Sequence, residues 1–188
     1  MGVGRIYFRG NPWPEGHEIT VFEWTAEVRG GDVWFHFHLE TDNYYAERYI
    51  EDDDSIEYLS DWHAPIVWGN FHRCTISSTQ YHDGGFRVCS LDRYSVSALD
   101  GLRLHVDPLP CDLQDHDARA FHVYLLGHDT VVDHQIEFTR VSNTDLFDVS
   151  WRGKIALTYV GEYDPTHAFD ARVRAMRAPG LGCIARDA

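Results

Sequence analysis

Residues 30–42 read GGDVWFHFHLETD, and from Val33 the stretch alternates without a break. Val33, Phe35, Phe37 and Leu39 fall on one side, and Trp34, His36, His38 and Glu40 on the other. Successive side chains of a strand point to opposite faces, so period-two alternation of β-branched and aromatic residues predicts a strand with one buried face. Gly30-Gly31 in front of it predicts a tight hairpin turn, because glycine tolerates the positive φ that two-residue hairpin turns need.

That turn makes a testable pairing with residues 19–28. Folding about it sets Val28 beside Val33, Ala26 beside Phe35, Trp24 beside Phe37 and Phe22 beside Leu39, so every apolar residue meets an apolar one. The other face then carries Glu27 beside Trp34, Thr25 beside His36, Glu23 beside His38 and Val21 beside Glu40. A slip of one residue would destroy both matches at once, which specifies the register.

Further strands follow along the chain. Residues 6–8 form a short apolar run, and Asn11, Pro12, Pro14 and Gly16 mark a loop after it. Residues 71–77 and 86–91 are predicted to pair across Asp83-Gly84-Gly85. Residues 102–106 alternate, and residues 121–126 and 130–141 flank a turn at 127–129. A turn centred on Gly153 is predicted to pair Trp151 with Ile155, Val149 with Leu157 and Phe147 with Tyr159. Phe169, Ala171 and Val173 continue the meander. Residues 56–62, IEYLSDW, read as a short helix capped by Asp54 or Ser55, with the acidic run 51–54 at its positive end. A faint internal parallel links HEITVF at His17 with HQIEFT at His134.

These signals add up to an all-β chain, a single antiparallel β-sandwich or open barrel of about nine or ten strands with at most one or two short helices. No long amphipathic helix separates the strands, as a parallel α/β fold would need. No linker divides the 188 residues, so one domain spanning 1–188 is expected, with a loose tail from about residue 179.

Composition bounds the function. The formal charge is −14, carried by Asp and Glu against Arg and a single lysine, Lys154. Such a surface repels phosphate backbones and anionic lipid and attracts basic partners, so neither nucleic acid nor membrane is an expected partner. The excess of Arg over Lys reads as the signature of a GC-rich bacterial genome. The N-terminus has no basic stretch followed by an apolar one, and no run approaches a membrane span, so a soluble cytoplasmic protein is expected. Cys74, Cys89, Cys111 and Cys183 are widely spaced without a C-x-x-C pair and read as structural thiols.

The one constellation that local geometry brings together is the polar face of the first hairpin. His36 and His38 project from one side of one strand, about 7 Å apart, with Glu23 and Glu40 adjoining them and Trp34 next in line. Two imidazoles and a carboxylate suit zinc, iron or proton transfer. The simpler reading is cross-strand pairing on a solvent-facing sheet. The H-x-H also resembles the start of the cupin metal motif, but the spaced Glu and later His of that motif have no counterpart at matching positions. A metal site would want a further ligand, for which His72, His105 and His122 are available. No cofactor is assigned. The nucleophile elbow, phosphate loop, dinucleotide fingerprint and H-E-x-x-H signatures are all missing.

Trp13-Pro14 followed by His17-Glu18-Ile19 resembles the opening of some bacterial toxin-immunity proteins, over less than a tenth of the chain. That resemblance implies an acidic inhibitor of a basic partner, in line with the charge. The expected function is therefore non-enzymatic binding. Asp53, in the acidic stretch with Glu51, Glu57 and Asp61, would steer a basic partner. Tyr58 and Trp62, with Tyr44 and Tyr45, would anchor it. The alternative is a small-molecule-binding or metal-dependent β-barrel enzyme that uses His36 and His38. Trp13, Trp34, Trp62 and Trp68 are the indoles expected at the surface, and Trp24 and Trp151 those in the core.

Overall fold

The structure, a computed structural model, describes residues 2–51, 53, 55–80 and 84–181. The expected turn residue Asp83, the cap at Asp54 and Cys183 lie outside the described residues. Ten strands form the body of the molecule among the described residues: β1 (Gly4–Phe8), β2 (His17–Arg29), β3 (Asp32–Thr41), β4 (Thr75–Ser77), β5 (Phe86–Ser90), β6 (Arg103–Val106), β7 (His122–Tyr124), β8 (His128–Arg140), β9 (Leu146–Ala156) and β10 (His167–Arg177). The helical content is α1 (Pro65–Gly69) and four short 3-10 turns. No helix among the described residues is long and apolar enough to cross a membrane.

The first hairpin has the register its hydrophobic pattern demands. Val28 pairs with Val33, Ala26 with Phe35, Trp24 with Phe37 and Phe22 with Leu39, while Glu23 faces His38 and Glu27 faces Trp34. The match runs up to an irregularity between Ile19 and Val21, beyond which Ile19 lies beside Thr41. Gly30 and Gly31 both have positive φ, as the turn requires.

From this hairpin the strands run in the order β2-β1-β10-β9-β8-β7-β4-β3, and the β2–β3 pairing joins the ends. The molecule is thus a closed barrel of eight strands, with β5 and β6 as two extra strands on the edges of β3 and β8. Closure removes the open sheet edges that a sandwich would have had to protect. The barrel is filled. Trp24 stacks on Phe138 at 5.0 Å between centroids, and Phe37 touches the rings of Phe22, Phe86 and Trp151 at 5.1 to 5.5 Å.

Two expected hairpins are replaced by other pairings. Residues 71–77 and 86–91 do not pair with each other, because β4 and β5 both lie on β3, opposite residues 38–40 and 32–35 respectively. Between them, at Phe37, the ladder is kept by Ser78: its amide and hydroxyl both bond the Phe37 carbonyl, and the Phe37 amide bonds Ser78 Oγ. Gly153 is not a turn either. β9 runs straight through it, and Gly153 pairs with Phe169. A Cβ there would sit 2.6 Å from the Phe169 ring and 2.9 Å from His134 Nδ1, so glycine is needed for close packing.

The segment 56–60 is not helical. The first helical turn is the 3-10 turn Asp61–His63, and α1 begins at Pro65, whose ring suits the first helical position. At the chain end, Tyr94 Oη donates to the Pro179 carbonyl at 3.2 Å, and Leu181 packs on the core.

Candidate functional site

On the outer face of the hairpin, the structure puts Trp34 and His36 in one network and His38 and Glu40 in another, with Glu23 exposed on the strand opposite His38. His36 is buried, with Nε2 3.2 Å from Glu27 Oε1. Glu27 also pairs with Arg29, whose guanidinium lies 4.8 Å from the centre of the Trp34 ring. Partial burial works against the Glu27 charge, yet hydrogen bonds from Arg29 and His36 outweigh it and hold the carboxyl below its ordinary range. The backbone of Gly85 lies against the His36 ring, where a Cβ would come within 2.6 Å of Cε1.

His38 belongs to the second network. Its Nδ1 is 3.0 Å from Ser77 Oγ and its Nε2 3.1 Å from Glu40 Oε1, and Glu40 Oε2 takes Arg73 at 3.2 Å. Ser77 Oγ accepts the amides of Thr79 and Gln80 at 3.1 and 3.0 Å. With both acceptor positions engaged, its proton is directed at His38 Nδ1, which leaves the imidazole proton on Nε2 facing Glu40.

Hydroxyl, imidazole and carboxylate therefore stand in the order of an acyl-transfer triad. Access is what it lacks, since Ser77 is fully buried beneath its own amide donors. The network reads as a brace for the end of β4. A fluorophosphonate probe is accordingly expected to leave Ser77 unmodified in the folded protein, and mass spectrometry of the treated protein checks this. A stoichiometric adduct on Ser77 would make the triad catalytic.

The further histidines do not complete a metal site. His105 lies on β6 with Nε2 2.7 Å from Asp133 Oδ1, His122 lies on β7 opposite Ser77, and His72 occupies a turn with φ of 67°. Among the described residues, no group of three or more His, Cys, Asp or Glu is arranged to hold a metal ion.

The expected anchors need correction. Trp62 is buried, its ring stacked on His167 at 4.0 Å and its Nε1 donating to the Arg9 carbonyl at 3.0 Å. Trp13, Trp68 and Tyr44 are buried as well. They surround His17 with ring separations of 5.3, 6.2 and 5.0 Å and close the end of the barrel away from the Gly30-Gly31 tip. A barrel end needs an apolar plug, and loop aromatics supply it here. Tyr58 is half-buried, and Asp53 is exposed, its carboxylate accepting the amide and hydroxyl of Ser55.

Over that plug lies a surface the sequence did not single out. Leu59 is 91% exposed and Tyr49 76%, and Ile56, Ile66, Val160 and Tyr163 are each exposed to about half their area. Two loops and α1 bring them together: Tyr159 Oη donates to Asp61 Oδ2 at 2.8 Å, Tyr45 Oη donates to the Pro65 carbonyl, and Tyr45 and Tyr49 touch ring to ring. Beneath the turn Thr158–Val160, the buried carboxyl of Asp129 accepts the Leu126 and Tyr159 amides, and burial pushes it up to about 6. Glu51, Asp53, Glu57, Asp61, Glu162 and Asp164 lie among the apolar residues on the same loops.

Compared with protein-family models, curated proteins and solved structures, the chain finds no match in any of the three. The surface therefore has to be read from its chemistry. Large apolar side chains exposed to water on loops that also carry acidic residues are the feature that sets this end of the barrel apart.

Proposed function

We propose that the protein is a non-catalytic binding protein that docks a basic protein partner on the acidic, apolar end of its barrel. The observation that carries this reading is the exposure of Leu59, Tyr49, Ile56, Ile66, Val160 and Tyr163 within one set of adjoining loops that also bears the acidic residues. Covering the nearly bare Leu59 is worth about 1.5–3 kcal/mol of apolar burial, and covering each half-exposed side chain about half as much. The carboxylates would guide a cationic partner in and reject anionic ones. The filled barrel interior weighs against a ligand carrier, and the buried Ser77 weighs against a hydrolase. The free thiols of Cys74, Cys89 and Cys111 suit a cytoplasmic location.

The reading is tested by placing a photoreactive benzophenone side chain at position 59, with position 97 at the opposite end as control, and irradiating cells of the native host. The expected result is one dominant adduct from position 59 only, with a protein of high isoelectric point. Its association with the purified chain should slow about tenfold or more on raising the salt, or on combining Glu57→Lys with Glu162→Lys. An acidic partner, equal adducts from both positions, or a salt-independent on-rate would contradict it.

A further inference from the structure

A second surface, on the outside of β8, β9, β10 and β1, has the opposite character. The pairings set Tyr7 beside Asp170, Asp170 beside Arg152 and Arg152 beside Gln135, all in one row across the sheet. In the next outward row Ala168 lies beside Lys154. A methyl group flanked by long side chains leaves a hollow. The chain after β1 rises along its edge, tied down by a 3.0 Å bond from the Arg9 amide to the Ala168 carbonyl. The result is a groove of about 600 Å³, bordered by Tyr7, Arg9, Pro14, Arg152 and Lys154 over the floor at Ala168.

The charges around this groove are unevenly committed. Asp170 is held by Arg172 in a two-point pair, and Asp133 is shared between His105 at 2.7 Å and Lys154 at 3.0 Å. Arg9 and Arg152, by contrast, have no ion-pair or side-chain hydrogen-bond partner among the described residues. In a chain of net charge −14, the carboxylates nearest this groove are spent on other cations while two guanidinium groups border it. A guanidinium presents paired donors that match carboxylate and phosphate oxygens, and it is weakly hydrated enough to give up water for them. Tyr7 and Pro14 add apolar walls.

The geometry points to a binding site for a compact organic oxyanion, a carboxylate or phosphate held by Arg9 and Arg152, with its apolar or aromatic body lying over Ala168 against Tyr7 and Pro14. The site is independent of the docking surface. It accounts for a concave, cation-bordered groove on a strongly acidic molecule, and its volume is in the range of small-ligand clefts.

Phenyl phosphate is the probe. Titrated into uniformly ¹⁵N-labelled protein, it is expected to shift the amides of Gly153, Lys154, Ala168 and Phe169 in a saturable manner, with inorganic phosphate binding more weakly. Arg9→Ala and Arg152→Ala should each weaken binding about tenfold, and the double variant should lose saturation. Ala168→Leu keeps every charge while filling the floor, and should weaken phenyl phosphate to a similar degree. All the substituted side chains are on the outer face, so melting temperatures should stay near that of the parent. Shifts scattered over other arginines, equal affinity for inorganic and phenyl phosphate, or binding indifferent to Ala168→Leu or to the double Arg variant would each overturn the site.

Discussion

Replacing Phe37 by Ala is expected to cost about 3–5 kcal/mol of stability, while replacing its neighbour His38 by Ala costs about 1 kcal/mol. Phe37 is fully buried at the meeting point of both sides of the barrel, with Phe22 and Phe86 at 5.1 Å, Trp151 at 5.5 Å and Trp24 at 6.0 Å. Truncation removes the transfer energy of the ring and leaves a cavity that a closed barrel cannot collapse, because neighbouring strands are fixed by hydrogen bonds on both edges. His38, with 14% of its side chain exposed at the outer face, loses its bonds to Ser77 and Glu40, which water can replace in part. Urea unfolding of both variants checks the contrast. Similar losses at the two positions would mean that the alternation along β3 does not separate inside from outside.

Stability is also expected to fall by roughly 1.4 kcal/mol per pH unit between pH 6 and pH 4, a slope that reflects one net proton taken up on unfolding. Burial pushes the imidazole of His17 down from 6.5 to about 4, helped by the charge of Arg5 and opposed by Glu47. Burial likewise pushes His134 down from 6.5 to about 3, against the pull of the Val131 carbonyl and the Asp133 charge, with His105 adding to the fall. Both histidines therefore stay neutral in the folded chain and gain a proton on unfolding once the pH is below 6.5, so each contributes stability at neutral pH that is lost as the pH falls. Asp129 acts in the opposite sense. Its carboxyl, raised from 3.8 to about 6, holds a proton in the folded state that the unfolded chain releases in this window.

Two protons gained and one released leave one, and His167, which burial also lowers, adds to the loss in the same sense. His134→Gln removes the titration while keeping an acceptor for the Trp151 Nε1 bond of 3.1 Å, and it should flatten the profile between pH 6 and pH 4. From about pH 4.5 downward the carboxyls of Glu27, Asp32 and Asp133, all held below their ordinary range, extend the loss in the parent and the variant alike. Urea midpoints at pH 7, 6, 5 and 4 measure the slope. A flat parent profile, or an unchanged slope in His134→Gln, would contradict the assignment.

How much of this was legible in the sequence depended on whether a signal was local. The first hairpin could be read down to its register, because a glycine turn and two alternating faces constrain the same pairing. The presence of strands elsewhere followed from the same periodicity. Partner choice did not, since β4 and β5 look like the arms of a hairpin and only the competing edge of β3 decides otherwise. Gly153 shows how one residue type serves two ends: as a turn it would have ended β9, yet Phe147, Val149, Trp151, Gly153 and Ile155 keep one unbroken period of two, and the glycine is simply the smallest inward residue.

The candidate sites were less legible. The pairing of Glu23 with His38 was visible, but the recruitment of Ser77 and the sealing of His36 by Gly85 come from segments about forty to fifty residues away. Trp62, at the end of an expected short helix, and Tyr44, in an irregular stretch, read as surface anchors, whereas here loop aromatics plug the barrel around His17. That plug displaced the exposed role onto Leu59, Ile56, Tyr163 and their neighbours, which carry no periodic signal. HEITVF and HQIEFT, the faint internal parallel, begin at the two buried histidines with depressed pKa, on strands that face each other across the barrel.

A filled, closed barrel built on the Gly30-Gly31 hairpin leaves the outer surfaces as the places where the protein can act. Nuclear Overhauser spectroscopy of the folded chain reads that barrel out residue by residue. The predicted result is contact between the Trp24 indole and the rings of Phe37 and Phe138, together with backbone contacts that place Trp24 beside Phe37 and Glu23 beside His38. Backbone contacts placing Glu23 beside Phe37, or a Phe37 ring exchanging magnetisation with solvent water, would contradict it.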